Sequence, residues 1–395
     1  MPFLSPAVQS YRTDLMRAFM ETHELDALAF LTPDWFFYAT NFILDVAPWE
    51  RPVIAVVPRT GDPFMVLNEL STNHLGFSRE RGSLWVDDVT LYSEHPRLTN
   101  RLHLTPQVPE LFAERLRGAG LGRGRIGVDA GTEPLRLAAQ RLGTVTIVPL
   151  ERELRELRLV KHAEELELIR RAGSLSDWGQ ERYREGIRPG RVVQEMDFAI
   201  AAEMAGEAAR RHAGEQVEIR TSTLSGPASA SPHGTGAGTG ATVESGHGLV
   251  NIVIVRINGL VVENERTWFC GQPSDRQRAA YAAATEAQAA AIAQFTTGNA
   301  LASVDAAALA VFQAHGFAEF VNHRTGHGIG IAGHEFPDDM AFNPRPLMAS
   351  EVYSAEPGIY LPGVGGFRHD DTVFVGDTPE VVTKAPRDID SQTVG

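Results

Sequence analysis

The residues best suited to chemistry lie between Asn322 and Pro337. There the chain reads Asn-His-Arg-Thr-Gly-His-Gly-Ile-Gly-Ile-Ala-Gly-His-Glu-Phe-Pro, with three histidines and four glycines in sixteen residues. An imidazole gives and takes protons near neutral pH. Gly326, Gly328 and Gly330 remove side chains where the backbone must turn or approach another group closely, which lets His327 project into a site. His334 follows in the same run. Carboxylates come next, with Glu356 in Ser354-Ala-Glu-Pro-Gly-Ile-Tyr360 and Asp370 in Gly365-Gly-Phe-Arg-His-Asp-Asp-Thr-Val-Phe-Val375. These two stretches read as strands of one hairpin-like unit. Upstream stand His233, in Ser229-Ala-Ser-Pro-His-Gly, and the alternating carboxylates of Gly259-Leu-Val-Val-Glu-Asn-Glu-Arg-Thr267.

The elements that must hold these residues fall into two sets. In the first, a helix is predicted over 7–24, with Tyr11, Leu15 and Phe19 on one face. Strands are predicted at 25–32, 52–58 and 63–67, with a short aromatic helix around Trp35-Phe-Phe-Tyr38. A helix at 107–118, a strand at 125–129, a helix at 133–141 and a strand at 145–149 continue an alternating α/β domain. The charged run Glu151-Arg-Glu-Leu-Arg-Glu-Leu-Arg158 marks a boundary, giving an amino-terminal domain over 1–155 and a larger domain over 156–395. The second set opens with helices over 163–185 and 192–211. The Gly/Ser/Thr-rich segment 221–248 resembles a linker in composition but contains His233, so it reads as an active-site loop. A strand at 249–255 follows, then Ala-rich helices at 279–295 and 304–315. No internal repeat is visible.

Composition narrows the function classes. With 43% hydrophobic residues among 395, the chain can bury ample core, and disorder is not indicated. A single cysteine, Cys270, excludes an intramolecular disulfide and fits a reducing cytoplasm; it reads as a small buried residue after a strand. The first residues carry no basic-then-apolar leader pattern, and no apolar run approaches the ~18 residues that cross a bilayer. A net charge of -14 argues against nucleic acid or an acidic membrane as partner. A small-molecule substrate in the cytoplasm is the expectation.

Taken in order, these motifs resemble the pita-bread superfamily, which includes methionine and proline-specific aminopeptidases, proline dipeptidase and creatinase. The matching stretches are those around His233, Glu263, His327, Glu356 and Asp370, and Leu154-Arg-Glu-Leu-Arg-Leu-Val-Lys-His-Ala-Glu-Glu-Leu166 resembles the superfamily's entry into its catalytic domain. The resemblance implies a small amino-terminal α/β domain followed by a pita-bread catalytic domain, α/β (α+β) in class. In metal-dependent members two aspartates, a histidine and two glutamates hold two divalent ions. Here Ile252 stands where the first of those aspartates belongs, Glu263 replaces the second, and Asp370 replaces the last glutamate. An isoleucine cannot bind a metal, so a dinuclear site is not expected.

What remains resembles creatinase, which works without metal. Its Glu-Arg-Thr signature is present as Glu265-Arg266-Thr267, where the peptidases carry Thr-Arg-Thr. The resemblance implies proton shuttling by His233, a cationic, guanidinium-like group held by Glu265 and Glu356, and a homodimer with shared sites. Arg51 of Trp49-Glu-Arg-Pro52 would then clamp a substrate carboxylate in the partner's cleft. His323, Glu335 and His369 are expected beside the site as supports or participants. Three readings follow. The first is a creatinase-like hydrolase needing no cofactor and cleaving a C–N bond in a small, nitrogen-rich carboxylated molecule. The second is a divergent metal-dependent aminopeptidase or proline dipeptidase. The third is a catalytically inactive binding module.

Overall fold

A computed structural model describes residues 4–93, 107–233 and 240–395. The chain divides into two units, Met1–Arg158 and Leu159–Gly395.

In the first unit α1 (Pro6–Thr22) starts at Ser5, whose hydroxyl accepts from the amide of Ala7, with proline in the first turn. It is followed by β1 (Ala27–Phe30), α2 (Pro33–Thr40), β2 (Ile54–Pro58), β3 (Phe64–Asn68), α3 (Thr72–Glu80), β4 (Asp88–Tyr92), α4 (Val108–Gly118), β5 (Gly124–Val128), α5 (Glu133–Leu142) and β6 (Val145–Pro149). The strands form a sheet in the order β4-β3-β2-β1-β5-β6, antiparallel at β1–β2 and parallel at β1–β5. β1 to β3 are buried throughout, which is why they read as continuous apolar runs. The aromatic helix is α2, with Trp35, Phe36, Phe37 and Tyr38 all buried. α3 and β4 carry too few apolar residues to stand out in the sequence.

The second unit opens with α6 (Ala163–Gly186), whose capping box joins His162 to Glu165. Then come α7 (Val193–Arg211), β7 (Val217–Ser225), β8 (Gly248–Ile257), β9 (Leu260–Cys270), α8 (Asp275–Ile292), α9 (Ala302–Ala314), β10 (Val352–Ala355), β11 (Gly358–Leu361), β12 (Gly365–Arg368) and β13 (Asp370–Phe374). The main sheet runs β10-β13-β9-β8-β7, while β11 and β12 form a separate antiparallel pair. Thus the expected hairpin is corrected: β10 pairs with β13, β11 pairs with β12, and Glu356 lies between strands. The segment expected as a loop from 221 also begins differently, because β7 continues to Ser225 along β8. Backbone pairing with a neighbouring strand outweighed its polar composition.

The two faces of this sheet have different surroundings. Asn251 and Asn264 point to the helical side, where Gln180 of α6 donates to both of their carbonyls at 3.2 and 3.0 Å. Thr223 of β7 donates to Asp197 of α7 on that same side. By strand alternation the residues between these point to the opposite face. The core around α8 and α9 includes Phe295, Phe312, Tyr353 and Phe367. Cys270 is buried and unpaired with sulfur. No helix among the described residues is long and apolar enough to cross a membrane.

Candidate active site

The open sheet face is the floor of a cavity of about 610 Å³ lined by Arg220, His233, Ile252, Glu263, Glu265, His334, Glu356 and Arg368, among others. Register fixes their placement. Ser222 on β7 faces Ile252 on β8, which faces Glu265 on β9, which faces Asp370 on β13. One step along, Arg220 faces Ile254 and Ile254 faces Glu263.

The glycine-rich run delivers His327. A Cβ on Gly326 would lie 2.0 Å from the carbonyl oxygen of Ser354, and one on Gly328 would lie 2.5 Å from that of Phe336. No other residue lets the segment pack this closely. His327 is 1% exposed. Its Nδ1 lies 3.0 Å from the carbonyl of Gly328, which orients the ring. Its Nε2 sits 3.4 Å from both Glu263 and Glu356, ion-pair contacts that leave the atom without a hydrogen-bond partner. His334 stacks on it with ring centroids 3.6 Å apart.

A second group meets this one at Glu356. Ligand-capable oxygens of Glu265, Glu356 and Asp370 lie within 4.8 Å of one another. Asp370 accepts from the Ser354 hydroxyl through Oδ1 at 3.0 Å, while its buried Oδ2 has no partner. Arg368 binds Glu265 through two guanidinium nitrogens and lies 4.0 Å from Glu356. Its position is held by Thr267, whose hydroxyl donates to the Arg368 carbonyl and accepts from its amide.

Burial and crowding spread the charge states. Burial raises Asp370 well above its ordinary value, and the neighbouring carboxylates of Glu356, Glu263 and Glu265 push the same way. Burial likewise lifts Glu265 to about 7 in spite of Arg368. For Glu356 burial is outweighed by His327 and Arg368, which hold it down to about 2. His327 lies well above the usual imidazole range because Glu263 and Glu356 overcome the cost of burial.

The sequence-identified residues are distributed as follows. His233, Glu263, Glu265, His334 and Glu356 line the cavity, and His327 and Asp370 stand behind the carboxylates. His323 accepts or donates at Tyr360 Oη, 2.6 Å away, and Tyr360 in turn receives Arg368 at 3.0 Å. Glu335 accepts the amides of Ile331 and Ala332 and pairs with Lys161 at 3.4 Å, so it shapes the loop after His327. His369 faces away, edge-on to Tyr281. Arg266 pairs with Asp371 at 2.7 Å on the helical side of the sheet, while Glu265 has Arg368. Trp49 is 86% exposed and Arg51 pairs with Glu50 at 2.7 Å; both belong to the first unit. Sequence reasoning missed Arg368, Tyr360 and Arg220 as site residues. An arginine closing the otherwise apolar strand Gly365–Arg368 was the available signal for the first.

Residues 167–377 match the model of metallopeptidase family M24, and residues 12–160 match the creatinase/prolidase amino-terminal domain. The chain belongs to metallopeptidase family M24. This M24 chain has the pita-bread fold and is a hydrolase acting on C–N bonds. It is 27% identical over 361 residues to a putative dipeptidase of Bacillus subtilis, YkvY, covering 89% of this chain and 92% of that one. It is 34% identical over 264 residues to the probable dipeptidase PepE of Mycobacterium tuberculosis, covering 64% and 65%. The dipeptidase PepE of Mycobacterium ulcerans superposes with a TM-score of 0.80 at 29% identity, over 99% of both chains. The amino-terminal domain of a FACT complex subunit from chickpea also shares the fold, with a TM-score of 0.75 at 16% identity over 98% of both chains. The fold alone therefore does not decide chemistry. The relatives favour the metal-dependent dipeptidase reading of the sequence over the creatinase-like one.

Ligand-capable side chains fall in two groups among the described residues, Glu263 with His327 and His334, and Glu265 with Glu356 and Asp370. Buried polar atoms in folded proteins are almost always hydrogen-bonded, yet Asp370 Oδ2 has no partner and His327 Nε2 has only the two carboxylates 3.4 Å away. Glu263, His327, Glu356 and Asp370 supply a nitrogen and oxygens of the kind that transition-metal ions take. Beside them, Ile252 offers no donor, and the guanidinium of Arg368 already occupies both oxygens of Glu265.

Proposed function

We propose that the chain is a dipeptidase-type hydrolase that cleaves the C–N bond of a small peptide, with one divalent ion held by Glu263, His327, Glu356 and Asp370. The observation that carries this reading is the convergence of His327 Nε2, 3.4 Å from both Glu263 and Glu356, with the buried Asp370 Oδ2, which has no hydrogen-bond partner, beside Glu265 and Glu356. When bound, such an ion polarises a carbonyl and lowers the pKa of a bound water. The chain's own residues do the rest. Arg368 balances Glu265 and Glu356 with a permanent cation. His323 and Tyr360 hold Arg368 from behind. His233, on the cavity wall, moves the proton to the leaving nitrogen. The names of the relatives, a putative and a probable dipeptidase, support a dipeptide as substrate.

The test is metal analysis joined to a dipeptide screen that includes Xaa-Pro sequences. One equivalent of manganese or zinc should bind, chelation should abolish turnover, and re-addition should restore it. His233→Ala should lower kcat by about 10²-fold or more. A second reading is favoured by Ile252 and Glu265, which fit a creatinase-like, metal-independent hydrolase. Turnover of a guanidino compound that survives exhaustive chelation would establish it instead.

A further inference from the structure

Register turns the cavity floor into a grid of three strands by three rows, every member of which lines the cavity. Ser222, Ile252 and Glu265 stand side by side in the first row, Arg220, Ile254 and Glu263 in the second, and Glu218, Arg256 and Val261 in the third. Charges surround the middle of this grid, and most of them are balanced by a neighbour. Arg368 of β12 holds Glu265, His327 lies 3.4 Å from Glu263, and Arg256 pairs with Glu218 at 3.5 Å while donating to the Gly259 carbonyl. Ile252 and Ile254 are left as an apolar strip among charged side chains. Val253 and Val255, which strand alternation turns to the helical side, are fully buried. Both isoleucines are only partly buried and open to the cavity. Apolar surface left against water is unfavourable until something apolar covers it.

Resting on the dipeptidase reading, we infer that Ile252 and Ile254 form the subsite for the side chain of the residue that carries the attacked carbonyl, and that they select a branched aliphatic side chain there. The carbonyl carbon must sit against Glu263, His327 and Glu356 to be attacked. Ile254 stands one strand from Glu263, and Ile252 one strand from Glu265. A leucine or isoleucine side chain leaving the atom next to the carbonyl spans roughly one strand interval, about 4.8 Å, and so lands on the strip. Glycine at that position would leave the strip exposed. A basic side chain would lose hydration over it, because the acids at either end are already taken up, Glu265 by Arg368 and Glu218 by Arg256. The strip therefore reads the side chain beside the scissile bond, while the carboxylates and His327 act on the bond itself.

The experiment varies that residue on metal-loaded protein, in Xaa-alanine or Xaa-proline dipeptides according to which the screen finds cleaved. Wild type should favour leucine over glycine, and leucine over lysine, at least about tenfold in kcat/KM, since each buried methylene contributes about fourfold. Ile254→Ala should cut the leucine-to-glycine ratio at least about threefold and, having opened a space, raise the phenylalanine-to-leucine ratio at least about threefold. Ile254→Val should keep most of the wild-type pattern. A substitution that only loosened the fold would lower all substrates together and leave both ratios alone. Unchanged ratios in Ile254→Ala, or no preference for leucine in wild type, would overturn the inference. Calorimetric binding of free leucine and glycine to the same proteins separates the subsite from the reaction. If no dipeptide is hydrolysed but leucine binds at least about tenfold more tightly than glycine, and that ratio falls in Ile254→Ala, the dipeptidase reading fails and the apolar subsite stands.

Discussion

Each unit buries an aspartate at a strand end, and the two are treated in opposite ways. Asp129 in the first unit accepts from the amides of Leu31 and Thr32 at 2.8 and 2.9 Å and from the Thr32 hydroxyl at 2.5 Å. Asp370 in the second accepts one hydroxyl and leaves its other oxygen buried without a partner, with Glu356, Glu263 and Glu265 all raising its pKa. Burial raises both aspartates. A carboxylate whose oxygens are satisfied by the chain ties a strand to the turn that follows. One left unsatisfied among other carboxylates is where the proposed ion would bind.

The largest expected effect breaks the second half of that comparison. His327→Ala and Asp370→Asn should each abolish stoichiometric metal binding and cut kcat/KM by about 10³-fold, on the scale of several kcal/mol for an ion's contribution to catalysis. Calorimetric titration with manganese reads the first and steady-state kinetics the second. Full metal occupancy in both variants would remove the assigned ligands.

Next is the pair that shares the cavity with the proposed ion. Glu265→Gln leaves the buried guanidinium of Arg368 without its main partner, 4% exposed in its side chain. Loss of one member of a buried pair costs about 3–5 kcal/mol, and urea unfolding of the metal-free protein should show it. A change below about 1 kcal/mol would mean that Glu356 alone can compensate Arg368.

Asp129→Ala supplies the control from the first unit. Removing its acceptor from two amides and a hydroxyl should cost about 1–3 kcal/mol of stability, while the metal equivalence and the kcat of folded protein stay unchanged. Impaired metal binding in this variant would erase the contrast between the two aspartates. The sequence also suggested a homodimer in which Arg51 completes a shared site. Mixing Arg51→Ala with His233→Ala tests it: recovered activity in mixed dimers means a shared site, and none means that Arg51 serves elsewhere.

The smallest effect is in pH. Because burial raises the pKa of Asp129 above 3.8, the folded state takes up its proton more readily than the unfolded chain. That contribution to stability is therefore full below 3.8 and is lost as pH rises through the folded value. Wild type should lose stability relative to Asp129→Asn across that window. A constant difference between the two unfolding curves would show that the hydrogen bonds cancel the burial.

By itself the amino-acid sequence determined much of this protein. The buried apolar runs at Ala27–Phe30 and Ile54–Pro58, the capped helix from Ala163 and the glycines around His327 carry their structural reasons within a few residues, in periodicity, capping and absent Cβ atoms. The ordered motifs bearing His233, Glu263, Glu265, His327, Glu356 and Asp370 named residues that the fold gathers in or directly behind one cavity. Other features are properties of pairing between distant segments. Val217–Ser225 is a strand because Gly248–Ile257 lies beside it, and Glu356 falls between strands because β10 turned to β13. That Glu265 would be occupied by Arg368 follows from tertiary packing, and that Arg220 would stand across Ile254 from Glu263 follows from register. Strand alternation is written locally, but which residues it sets opposite one another is decided only when strands far apart in the chain align.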